Sequence, residues 1–91
     1  MNSKNTFYKQ NTNIVVAEID SEYCLFSSES AEYFNLNKSA SKIWSLLEET
    51  IEFDKILEKL VDDYDVNSET CKKDLKHFLD TGVELGFIFK T

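Results

Sequence analysis

The stretch AEYFNLNKSASKIW, residues 31–44, changes its period in the middle. In AEYFNL, Phe34 and Leu36 alternate with Tyr33 and Asn35, the period of two that turns one pair toward a core and the other outward from a strand. From Asn37 onward, Ala40, Ile43, Trp44 and Leu47 take the i, i+3, i+4, i+7 spacing of one helical face, with Asn37 or Ser39 available as its cap. A strand therefore runs directly into a helix, with no catalytic group beside either.

Upstream, NIVVAEI (13–19) and EYCLF (22–26) are rich in β-branched and aromatic residues and are separated from each other and from 31–36 by DS and SSES. That pattern predicts three antiparallel strands in a meander, with the third at the edge. An edge strand exposes unpaired amides and carbonyls, to which an extended peptide can add as a further strand. Residues 1–12 are polar, with three Asn and two Lys, and show no sustained period, so a flexible lead-in is expected there and an ordered domain over 13–91.

Downstream, Phe53, Ile56, Leu57, Leu60, Val61 and Tyr64 form an apolar stripe opposite Glu52, Asp54, Lys55, Glu58, Lys59, Asp62 and Asp63, a second helix with a solvated acidic face. A turn at Asp65-Val66 leads to a third helix, which Asn67 caps and Val66 staples against Cys71. Its inward residues are Cys71, Leu75, Phe78 and Leu79. Gly82 is expected to weaken its end, and Gly86 to terminate it before the apolar FIF. Three strands followed by three helices, the last two as a helix-turn-helix, make an α+β, winged helix-turn-helix-like module.

Composition narrows the partners. Of 91 residues, 42 % are hydrophobic and 13 % aromatic, enough to form one core, although a domain of this size buries only roughly 60–65 % of its unfolded surface. Seventeen carboxylates against ten basic residues give a net charge of −7, and all ten are Lys. An acidic chain without Arg is a poor fit to nucleic acid or to an anionic membrane surface. No apolar run approaches the length of a membrane span, and MNSKNTFYKQ has no apolar signal core, so a cytoplasmic protein is expected.

Constellations for chemistry are missing. His77 stands amid KKDLKH and reads as a solvated helix residue; the pairs Glu48-Glu49 and Asp62-Asp63 read as solvent-facing helix ends. Cys24 and Cys71 belong to no CxxC cluster, and two glycines form no phosphate-cradling loop. No catalytic residue, metal or cofactor is expected, and the chain reads as a binding module rather than an enzyme. A winged-helix DNA-binding regulator is the alternative, since Lys72, Lys73, Lys76 and His77 lie where such a protein places its contacts, but Glu69, Asp74 and Asp80 share that helix.

At these residues the chain resembles the PqqD-like proteins, the recognition elements of ribosomally made, post-translationally modified peptide pathways. The resemblance lies in Glu32-Tyr33-Phe34-Asn35-Leu36-Asn37 running into Ser39-Ala40-Ser41-Lys42-Ile43-Trp44, in LEKLVDDYDV (57–66), in Asp74-Leu75-Lys76-His77-Phe78-Leu79, and in Gly86-Phe87-Ile88. It covers residues 13–89. Two positions depart from the family pattern: Gly82, where a large apolar residue is usual, and Lys38, where proline is common. The resemblance implies a stand-alone domain that binds the leader of a precursor peptide by strand addition and delivers it to a separate modifying enzyme, a leader peptidase, cyclase or radical SAM enzyme, in a pathway of the lasso-peptide or pyrroloquinoline quinone type. Carried over, the peptide-binding residues are Glu32, Tyr33, Phe34, Asn35 and Leu36 on the strand, and Lys72, Lys76, Leu79 and Val83 on the third helix. A monomer, or a weak or swapped dimer, is expected.

Overall fold

In a computed structural model of the chain, which describes residues 6–64 and 67–91, the first element is one the sequence pattern did not suggest. Phe7–Gln10 forms a strand, β1, so the expected flexible lead-in is corrected for these four residues. The reason is long-range. Tyr8 is buried, its ring 6.4 Å from that of Phe53. The peptide groups of β1 turn alternately to two partners, β5 (Ile51–Glu52) and β6 (Ile88–Lys90), with Phe7 and Thr91 exchanging bonds of 3.1 and 2.9 Å. Strands of two to four residues, paired only with distant segments, carry too few positions to show a period of two.

The three expected strands follow as β2 (Val15–Ile19), β3 (Glu22–Ser27) and β4 (Glu32–Asn35), an antiparallel sheet in the order β2-β3-β4 with β4 at its edge. The second sheet runs β5-β1-β6. Three helices complete the α+β fold: α1 (Lys38–Leu46), α2 (Phe53–Tyr64) and α3 (Ser68–Glu84). The core between sheets and helices contains Leu25, Trp44, Leu47, Ile56, Leu75, Leu79 and Phe87. Among the described residues no helix is long and apolar enough to cross a membrane.

The change of period at residue 37 has a specific joint. Asn37 caps α1 by accepting a bond from the Ala40 N–H at 2.9 Å. The buried Ser41 hydroxyl then accepts from the Tyr23 N–H at 2.9 Å and donates to the Leu36 carbonyl at 3.2 Å. It bridges two peptide groups that would otherwise bond directly, so the β3-β4 ladder ends inside α1 rather than in solvent. Lys38, standing at the first helical position where proline is favoured, instead reaches the Asp20 carbonyl of the β2-β3 hairpin at 3.2 Å.

Asn67 caps α3 by accepting from the amides of Glu69 and Thr70. The turn at Asp65-Val66, the staple by Val66 and the side chain of Tyr64 lie outside the described residues. α3 continues through Gly82 to Glu84, and a β-carbon there would strike Cδ1 of Ile88 and lie 2.9 Å from its Cγ1. Its bareness lets β6 pack against the helix. Gly86, at φ +86°, closes α3 with the paired bonds Gly86 N–H to Val83 O and Phe87 N–H to Gly82 O, a Schellman arrangement that needs the left-handed conformation.

Candidate functional site

The edge strand alternates as its sequence requires. Leu25 of β3 faces the core and pairs with Phe34, while Phe26 pairs with Tyr33. Phe34 and Leu36 accordingly point inward, and Tyr33 and Asn35 are exposed. Hydrogen bonding alternates as well. The Leu36 N–H donates to the Tyr23 carbonyl at 2.8 Å, which places the next ladder pair at Phe34 and leaves the N–H and C=O groups of Tyr33 and Asn35 directed away from β3. Within the described residues β4 has β3 as its neighbour on one side and none on the other.

On the inward side, Phe34 stacks on Phe78 of α3, centroids 5.6 Å apart, and meets Phe87 at the same separation. One turn earlier along α3, Cys71, Asp74 and Leu75 join Ser39 and Ile43 of α1 and Leu60 of α2 around an open cavity of about 270 Å³. Phe34 and Phe78 form an apolar floor on the inward side of β4, and the cavity that follows along α3 carries Asp74 as a charged group on its wall. Burial, and then the negative charge of Asp74, push the Cys71 thiol above its ordinary pKa. Among the described residues no three His, Cys, Asp or Glu side chains converge as a metal site would require.

The structure brings together part of the residue set expected from sequence. Glu32, Tyr33, Phe34 and Asn35 are at the edge, but Leu36 is buried in the core, its inward turn being required to meet Tyr23 and α1. On α3 the expected residues lie apart from the Phe34–Phe78 contact. Leu79 is fully buried, and Lys72 and Lys76 line a depression with Tyr8, Phe53 and Lys90, on the flank turned to β1 and the start of α2. Val83, at the same helical angle, follows them. The flank that meets β4 is that of Asp74 and Phe78. Lys76 is also bound to Asp80 at 2.9 Å, a bond that raises its pKa and engages its charge within the helix. Cys71 and Phe78 were recognisable as inward residues, but what could have placed them beside β4 was knowledge of β1, which occupies the opposite flank.

Fold and site define a class: an α+β domain whose sheet ends in an unpaired strand packed through Phe34 on α3, with an apolar cavity among its helices. A family model described as coenzyme PQQ synthesis protein D (PqqD) matches residues 22–88, and the chain belongs to this family. Among solved structures, TbiB1 in complex with the TbiA(beta) leader peptide is 32 % identical, with a TM-score of 0.79 over 88 % of this chain and 93 % of that one. Lasso peptide synthetase B1 complexed with the leader peptide is 23 % identical at a TM-score of 0.77, covering 90 % of this chain and 96 % of that one. The PqqD truncation of Methylobacterium extorquens PqqCD, described as a stand-alone recognition element, is 14 % identical at 0.73, covering 91 % and 88 %. The last two establish the fold alone. A search of curated proteins finds no match.

Proposed function

We propose that this chain binds the leader segment of a ribosomally synthesised precursor as an added strand on β4, and presents the precursor to a separate modifying enzyme in the cytoplasm. The observation that carries the reading is the pair of outward peptide groups at Tyr33 and Asn35 beside the Phe34–Phe78 groove. The related TbiB1, solved with a leader peptide, supports it. Main-chain pairing along β4 supplies affinity for any extended segment, and alternate leader side chains entering the groove and the cavity at Ile43, Cys71 and Asp74 supply selection. Bond-making chemistry is left to the enzyme, a leader peptidase, cyclase or radical enzyme. Duplex DNA is the weaker reading, because the surface is acidic, Arg is lacking and Lys76 is held by Asp80.

Titration with the precursor's leader is expected to shift the amide NMR signals of residues 32–36 and to slow alkylation of Cys71, whose raised pKa calls for labelling at alkaline pH. Unmoved signals in β4 together with unchanged alkylation of Cys71 contradict the proposal.

A further inference from the structure

The side of the β2-β3-β4 sheet turned away from the core is unusually apolar. Strand register sorts the residues: the row Val15–Phe26–Tyr33 and the row Ala17–Cys24–Asn35 lie on the face opposite Leu25, and Ile19 pairs with Glu22 on that same face. Val15 is 58 % exposed, Ile19 70 % and Tyr33 68 %, and the Phe26 and Tyr33 rings lie 4.8 Å apart. The solvated face of an antiparallel sheet is ordinarily polar, and contiguous exposed apolar side chains mark an interaction surface. Neither the groove nor the core uses these side chains.

Charge indicates what fits there. Glu22 lies on the face, and Asp20 and Glu29 are exposed in the turns at its two ends. A second copy would bring two acidic rims together in a chain of net charge −7. Like-charge repulsion between copies favours instead a protein partner with an apolar centre bordered by Lys and Arg.

We infer that the outer face of β2-β3-β4 is the docking surface for the modifying enzyme, through an apolar patch with a basic rim on that enzyme. The inference rests on the function proposed above. Because β4 contributes Tyr33 to this face and its free edge to the leader, an enzyme docked here lies alongside the added strand, while the two surfaces stay separable at β2.

The test uses the full chain, the precursor's leader and the purified modifying enzyme of the same pathway. Val15→Thr/Ile19→Lys alters only exposed positions of β2, and Thr retains β-branching. The double variant is expected to bind leader as the unsubstituted protein does and to lose about tenfold or more in affinity for the enzyme, the scale of removing central interface anchors. Ala17→Lys, in the middle of the same strand, is expected to do the same, which separates loss of docking from misfolding of one variant. Enzyme affinity unchanged in both variants overturns the inference, as does loss of leader binding in both, or a concentration-dependent dimer that the substitutions abolish. Failure of the unsubstituted protein to bind leader removes the proposed function instead, and the enzyme comparison between proteins still reads the docking face.

Discussion

The two sheets have the same number of strands and opposite designs. In β2-β3-β4 each strand pairs with the next in sequence through a short turn, and the sheet ends in two edges. In β5-β1-β6 the middle strand comes first in the chain and is paired on both sides with segments some 40 and 80 positions away, so that Phe7 meets Thr91. The local sheet keeps unused hydrogen-bonding groups at β4, whereas β1 is paired on both sides. One sheet thus ties the chain's ends to α2 and α3, and the other is free to receive a partner.

Proline substitution exposes the difference most strongly. Lys9 lies opposite Phe89 in a pair that, by alternation from Phe7 and Thr91, exchanges hydrogen bonds. Lys9→Pro removes a donor from a centrally placed strand and is expected to destabilise the protein by about 3 kcal/mol or more, measured by denaturant unfolding. Gly82→Ala drives a methyl group into Ile88 and separates β6 from α3, with an expected loss of about 1–3 kcal/mol in the same measurement. Ser41→Ala breaks the joint between the local sheet and α1. It leaves the Tyr23 N–H and the Leu36 carbonyl without their hydroxyl bridge, an expected loss of about 1–2 kcal/mol. A matching fall in leader affinity would show that this bridge also sets the position of β4.

What was readable from the sequence divides along the same line. Val15–Ile19, Glu22–Ser27 and Glu32–Asn35 show their period and their turns within a few residues, and the apolar stripe of α2 and the Asn37 and Asn67 caps are equally local. β1 was invisible because FYKQ sits in a polar segment and acquires its strand conformation from partners at residues 51–52 and 88–90. The groove followed the same logic. A helical wheel turned Leu75 and Phe78 inward but could not choose between the flanks of α3, and it could not foresee that Lys72 and Lys76 lie on the flank shared with Tyr8 and Phe53. The place of Gly82 was only half legible for a related reason: helix propensity is local, while the approach of Ile88 is not.

The central claim, that the free edge of β4 is the working part, is tested most directly at Asn35. Its N–H points away from β3, and proline is tolerated at such a position on an edge strand, so Asn35→Pro is expected to keep the fold and remove one hydrogen bond offered to an added strand. Calorimetric titration with the leader should give micromolar or tighter binding to the unsubstituted protein and about tenfold weaker binding to Asn35→Pro, the equivalent of about 1.4 kcal/mol. Equal affinity for the two proteins, with both folded, would contradict strand addition at β4.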